Sequence, residues 1–328
     1  MARVLSGIQP TGDIHLGNYL GAVRQWVADQ QEYDCYFCVV DLHALTVPRE
    51  SGELRAKTLE TSLVLVAAGL DPEICTLFVQ SHVPEHTQLT WLLECLAGMG
   101  ELRRMVQFKD KARGNEESAR VGLFTYPVLQ AADILLYNAD RVPVGDEQRQ
   151  HLELCRDLAL RFNHRFGETF VVPEAAVPKV GARIMDLQDP TSKMSKSAES
   201  PRGVVLVLDD PDVIDRKIRR AVTDPGAQIR FDPLHKPGVS NLLSILGAVT
   251  DGDPEKLAEG FSDYASLKSA TAEAVIELLR PVRERYLELV TDPRGAQDIV
   301  ARGASKAQQE ASATLARAQE AVGLLSRV

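Results

Sequence analysis

The feature that most constrains this chain is a strict alternation in its first hundred residues. A short apolar run at 4–8 ends in a Pro/Gly turn and gives way to helix-period residues over about 18–30. A second β-rich run (36–40) precedes a helical pattern at 53–68 that Gly69 stops, and a third (74–80) precedes one at 85–97. Strands separated by helices of this length pair in parallel through right-handed crossovers. The expected architecture is α/β: a doubly wound parallel sheet with ligands at the carboxyl ends of its strands.

Past that region, 128–137 and 147–162 read as helices, and the stretch 181–201 turns loop-rich. Beyond it the apolar spacing is helical at 242–249, 270–287 and 307–325, with Gly303 before the last run and Gly323 near its end. This predicts a second, all-helical domain, for which 328 residues leave ample room. At 45% hydrophobic and 25% charged, the chain is neither disordered nor collagen-like.

Lys and Arg number 37 against 46 Asp and Glu, a net charge of −9. That excludes a basic nucleic-acid coat, so RNA would have to meet a local patch. Arg216-Lys217-Ile218-Arg219-Arg220 is one such cluster, and it reads equally as a solvated helix face. The stretch Arg103, Arg104, Lys109, Lys111 and Arg113 reads as a solvated helix end or a lid toward phosphate. Five scattered cysteines (Cys35, Cys38, Cys75, Cys95, Cys155) argue against a disulfide framework and for a reducing compartment. Cys35 and Cys38 stand three apart on a strand and so point to opposite faces, as buried core thiols rather than half of a zinc site. The first ten residues lack the apolar core of a leader, and the longest apolar runs, such as 63–68, are far short of a membrane span. The expected location is cytoplasmic.

The common nucleotide and hydrolase motifs are absent: no G-x-x-x-x-G-K-[ST], no G-x-G-x-x-G after the first strand, no H-E-x-x-H and no G-x-S-x-G. Instead the first strand runs into Gln9-Pro10-Thr11-Gly12-Asp13-Ile14-His15-Leu16-Gly17-Asn18, opening into a helix whose free N–H groups suit an anion. Gly17 allows a base or ribose close to the backbone, and His15 and Asn18 carry donors for phosphate oxygens. An ordinary strand-to-helix turn accounts for the same residues. The second feature is Lys193-Met194-Ser195-Lys196-Ser197, whose two lysines can hold a polyphosphate as point charges. By itself it is also what a solvated basic loop looks like.

Together the two segments resemble the signatures of the class I aminoacyl-tRNA synthetases. His15-Leu16-Gly17-Asn18 matches the "HIGH" turn with Asn in the last place, and Lys193 to Ser197 matches the "KMSKS" loop without change. The similarity is closer still to the bacterial tryptophanyl-tRNA synthetases and runs essentially end to end. It is carried by Ser6 to Gly12, Val40-Asp41-Leu42-His43-Ala44-Leu45-Thr46, Tyr126 to Tyr137, Val142-Pro143-Val144-Gly145, and Gln148-Arg149-Gln150-His151.

The resemblance implies ATP and Mg²⁺, L-tryptophan and its tRNA as ligands, and a homodimer. It implies a Rossmann-like catalytic domain over 1–188, an anticodon-reading helical domain over 189–290, and a C-terminal helix over 291–328 packing back on the first. His15, Asn18, Lys193 and Lys196 are then the catalytic set. Gln9, Pro10, Thr11, Gly17, Asn18, Gly145, Asp146, Glu147, Ile184, Lys193, Met194, Ser195, Lys196 and Ser197 surround ATP. Asp133 matches the residue that accepts the indole N–H, with Gln130, His43 and Gln148 beside it. Two departures stand out: Asp146-Glu147 where relatives commonly read Glu-Asp, and Gln130 where many carry Met. A Gln three residues before the specificity Asp also occurs in tyrosyl-tRNA synthetases, which keeps that enzyme as an alternative. A non-charging paralogue that senses amino acid is another. On a helix Gln130, Asp133 and Tyr137 share one face, which suits a polar pocket stripe or the wet side of an amphipathic helix.

Overall fold

The structure is a computed structural model that describes residues 1–325 except 49, 51, 113–118, 144, 146, 147, 177–182, 196–199 and 227, with backbone alone at 110–112 and 176. Five strands form one parallel sheet: β1 (Arg3–Ile8), β2 (Asp34–Val39), β3 (Thr76–Val79), β4 (Arg141–Pro143) and β5 (Glu174–Ala176), in the order β3-β2-β1-β4-β5. The first three strands lie where the alternation places them. The last two are three residues each, too short to leave a period-2 pattern. Strand order reverses at β1, which puts the crevice at the carboxyl ends of β1 and β4. The stretches that follow those two strands in sequence, 9–18 and 145–147, are among those that the resemblance assigns to ATP.

Side-chain alternation sorts the core into two layers. Val4, Cys35, Phe37, Val39, Leu77 and Val79 enter one, while Leu5, Tyr36, Cys38 and Phe78 enter the other. Trp26 stacks on Phe37 in the first layer and Tyr36 on Tyr137 in the second, with centroids 5.0 Å and 4.9 Å apart. Cys35 and Cys38 therefore fall in opposite layers, and burial pushes the Cys35 thiol up to about 12.

Several helices begin earlier than the sequence spacing suggests. The first runs over 16–29, with π pitch at Tyr19–Val23. The one expected from 128 is Val121–Leu135 and continues through Pro127. Pro127 is the seventh of the fifteen residues, and having no N–H it leaves the helix one intrahelical bond short at that point. Arg149–Phe166 follows β4 and ends at Gly167, whose φ is +99°.

Helices Pro211–Arg219, Pro237–Thr250 and Tyr264–Leu289, with the short Pro254–Ala258, make up the helical half. Their Ile214, Ile218, Leu242, Leu243, Val275 and Leu279 join the layer that holds Leu16 and Phe37, so one core runs from sheet to helical half. The Arg216–Arg220 cluster is partly neutralised within this fold: Lys217 pairs with Asp209 at 2.6 Å, Arg219 with Asp215 at 2.7 Å, and Ile218 is buried. No helix among the described residues is long and apolar enough to cross a membrane.

The final helix is Pro293–Ala321. Gly303 lies within it rather than before it, and the reason is steric. The helix crosses the edge strand β3 so closely that a Cβ at 303 would stand 1.7 Å from the Leu77 carbonyl oxygen. Glycine here lets a helix cover an otherwise open sheet edge. Gly303→Ala is expected to force the helix off β3 and lower stability by about 1–3 kcal/mol. A lower denaturant midpoint checks this, and an unchanged midpoint would show that the close approach is not required.

Candidate active site

The nucleotide side begins where β1 ends. Gly12 turns the chain at φ +84°, and His15 caps the next helix. His15 Nδ1 accepts the Asn18 N–H at 3.2 Å while Asn18 Oδ1 accepts the His15 N–H at 3.3 Å, a reciprocal capping box. With Nδ1 acting as acceptor, the neutral ring carries its proton on Nε2, and Asn18 keeps its Nδ2 donors. Gly17 is held small by its neighbours: a Cβ there would lie 3.1 Å from the His15 ring and 3.7 Å from Ile184 Cβ.

Backbone pairing draws the Lys193 segment toward this turn. Leu16 N–H donates to the Val205 carbonyl (2.8 Å) and Val207 N–H to the Ile14 carbonyl (2.9 Å), which stitches the turn to the chain leaving the loop. Ile184 and Met194 are buried in the same layer as Leu16, while Lys193 is exposed and Ser195 half-buried. Gln9 is exposed, Pro10 buried and Thr11 half-buried at the end of β1, and Gly145 is exposed beyond β4. Asp146, Glu147, Lys196 and Ser197 lie outside the described residues.

The second half of the site is built around Asp133, on the Val121–Leu135 helix and 3% exposed. It is a buried carboxylate and does not lie on the wet face of a surface helix. Three donors converge on it. Gln80 Nε2 and His86 Nδ1 reach Oδ1 at 2.7 Å and 2.6 Å, and His43 Nε2 reaches Oδ2 at 2.7 Å. Gln80 Oε1 in turn accepts the Leu42 N–H at 3.1 Å, which fixes the amide orientation. Behind His86, Nε2 meets the Tyr137 hydroxyl at 2.7 Å. With Nδ1–H spent on Asp133, Nε2 is the acceptor of the Tyr137 O–H. Burial by itself pushes the Asp133 carboxyl up. The attraction and hydrogen bond of His43, with the hydrogen bond of His86, outweigh this and hold it well below the usual carboxylate range.

Gln130 is half-buried and does not join that group. It donates to Gln148 Oε1 at 3.3 Å, which also meets His151 Nδ1 at 2.9 Å, and His151 Nε2 stands 3.3 Å from the Tyr126 hydroxyl. The Tyr126 ring packs edge-on against His43, centroids 6.2 Å apart, and burial pushes its hydroxyl up to about 12. The structure thus gathers Asp133 with His43 and, in a line beside them, Gln130 with Gln148. Sequence reasoning missed Gln80 and His86. Only the place of Gln80 at the end of β3, where open α/β sheets bind ligands, could have pointed to it.

Residues 1–280 match the family described as tRNA synthetases class I (W and Y). Tryptophan–tRNA ligase 1 of Streptomyces coelicolor is 54% identical, over 100% of this chain and 99% of that protein. The chain belongs to the tryptophanyl-tRNA synthetases. Among solved structures of the family, that from Mycoplasma pneumoniae superposes with a TM-score of 0.90 at 38% identity, covering 99% of both chains. The Campylobacter jejuni synthetase, solved with ADP and tryptophan, gives 0.85 at 33% identity over 98% of this chain and 100% of its own.

The Asp133 network carries a pH signature. The carboxyl's folded value lies below its unfolded one, so its contribution to stability is present above the unfolded range, near pH 4, and is lost as pH falls toward the folded value. Asp133→Asn, which turns an amide donor on buried donors, is expected to cost about 1–3 kcal/mol at pH 7. The gap to the parent protein should narrow below pH 4. Denaturant melts across pH 3–7 test this, and a gap that stays constant would remove the ionised carboxylate from the account.

Proposed function

We infer that this chain is a tryptophan–tRNA ligase whose amino-acid pocket is built on Asp133 and whose triphosphate site lies between the first turn and the Lys193 loop. In the first step an oxygen of the tryptophan carboxylate attacks the α-phosphorus of ATP. The bond to the bridging oxygen breaks, and pyrophosphate leaves with both electrons. In the second, a hydroxyl of the terminal ribose of tRNA attacks the acyl carbon and AMP leaves. No protein nucleophile is required, so the work is positioning and charge stabilisation.

His15 and Asn18 serve the α-phosphate, and Lys193 with Lys196 the departing pyrophosphate. Gln9, Pro10, Thr11, Gly17, Gly145, Ile184, Met194 and Ser195 frame the nucleotide, with Asp146, Glu147 and Ser197 completing it. ATP is used as its Mg²⁺ complex in the cytoplasm. The Rossmann-like catalytic domain is 1–188, served by the Lys193 loop just beyond it; anticodon reading belongs to 189–290, and the helix of 291–328 braces the first.

The observation that carries the specificity is the buried acceptor at Asp133. A site built to bond a polar hydrogen rejects an analogue without one by roughly 10⁴–10⁵, which excludes phenylalanine. Tyrosine has a donor, so pocket shape excludes it. ATP–pyrophosphate exchange across the twenty amino acids, followed by tRNA charging, tests the reading. Exchange with tryptophan alone, then charging, is expected. Exchange with tyrosine would end the indole role of Asp133, and exchange without charging would favour a non-charging paralogue. Asp133→Ala is expected to lose exchange while keeping ATP binding; unchanged exchange removes it from the pocket.

The functional unit is a homodimer. Helices Glu85–Glu94 and Met99–Arg103 both pack on Val121–Leu135, and Trp91 (66% exposed), Met99 (65%) and Val121 (76%) project from these three. Large apolar side chains grouped on adjacent elements suit a subunit interface. Light scattering should give twice the chain mass, and Trp91→Glu should reduce it to one. A dimer indifferent to that change would place the interface elsewhere.

A further inference from the structure

One side chain of the helical half grips the backbone directly opposite Lys193. Residues 184–186 run antiparallel to 192–194: Met194 N–H donates to the Ile184 carbonyl at 3.0 Å and Asp186 N–H to the Ser192 carbonyl at 2.9 Å. Met185 faces Lys193 between these two bonds. In such a pair the N–H and C=O of the central residues point away from the hairpin, so those of Met185 look outward. Both are met by Asn241. Its Oδ1 accepts the Met185 N–H at 2.9 Å, and its Nδ2 donates to the Met185 carbonyl at 3.0 Å. The amide acts as a one-residue third strand.

Asn241 is 4% exposed and sits on the Pro237–Thr250 helix, flanked by the fully buried Val239, Leu242 and Leu243. A polar side chain in that position is costly unless both ends of its amide are used, and here both are. At the far end of the hairpin Asp186 Oδ1 accepts the N–H groups of Gln188 and Asp189, and the Asp189 carboxylate takes the hydroxyls of Thr191 and Ser192. That end also meets the chain after the Pro211–Arg219 helix, where the Leu187 carbonyl accepts the Val222 N–H at 2.8 Å and Gln188 Nε2 donates to the Arg220 carbonyl at 3.0 Å, but neither bond touches the strand position that faces Lys193.

We propose that Asn241 is a positioning residue for adenylate formation: from the helical half, it fixes the strand opposite Lys193 and thereby the reach of that ammonium toward the triphosphate. The proposal rests on the role given to Lys193 under Proposed function. A lysine is a point charge on a flexible stem, so the place of its Cα decides where the charge can act. A misplacement of about 1 Å can cost roughly 10²-fold in rate.

The test is a double-mutant cycle in ATP–pyrophosphate exchange with Asn241→Leu and Lys193→Ala. Asn241→Leu is expected to lower kcat about ten- to hundredfold, with the KM for tryptophan held within about twofold. Once Lys193 is alanine, the same change should cost little more, because residues acting as one unit are not additive. Additive losses overturn the proposal, as does a parent-like kcat in Asn241→Leu. Where Asn241→Leu shows no cooperative thermal transition, Asn241→Asp, which keeps the acceptor and loses the donor, enters the cycle in its place. Parent-like exchange in Lys193→Ala alone overturns the loop's role itself, and the two failures are thereby told apart.

Discussion

A carboxylate buried beside a sheet persists only where donors converge on it, and Asp133 draws its three from separate elements. His43 comes from the short helix after β2, Gln80 from the end of β3, and His86 from the helix after that. Desolvating the charge costs several kcal/mol unless such bonds are made. Satisfying Asp133 therefore fixes the carboxyl ends of β2 and β3 against the Val121–Leu135 helix. Tyr137, one turn on, caps the network through His86 and stacks on Tyr36 of β2. The polar network and the core packing are here the same set of contacts.

The sheet's period of two sends the halves of the site to opposite layers. Asp133 and its donors belong with Tyr36, Cys38 and Phe78. The first turn and the Lys193 hairpin belong with Val4, Phe37 and the helical half. They meet only at the carboxyl edge, where strand order reverses at β1. On the proposed assignment, an amino acid held from one layer and a triphosphate held from the other can be brought end to end there, which is the geometry an in-line attack on the α-phosphorus requires.

How much the sequence disclosed depends on the range of the interactions involved. The first three strands and their helices were legible because local periodicity encodes them, and the first turn and Lys193 loop because their residues are contiguous. β4 and β5 were not, since three residues carry no alternation. Gly303 looked like a boundary because a helical glycine usually weakens a helix; its purpose lies in Leu77, more than two hundred residues away in the chain. Gln80 and His86 look ordinary in sequence because their meaning is a distance to Asp133. Asn241 is hidden for the same reason.

The two halves also differ in how they secure their ligand. Under the proposed reading the amino-acid side is a preformed set of buried hydrogen bonds around Asp133, whose geometry exists before substrate arrives, so that discrimination costs little reorganisation. The proposed phosphate side relies on lysine charge in a chain of net −9. At physiological ionic strength the screening length is about 8 Å, so the distant acidic surface scarcely competes with an ammonium a few ångströms from a phosphate. The same screening means that such an ammonium must be close to matter at all. On that side, register replaces burial as the source of precision, and the register of Lys193 is set by backbone pairing with 184–186 and, through Met185, by an amide in the helical half.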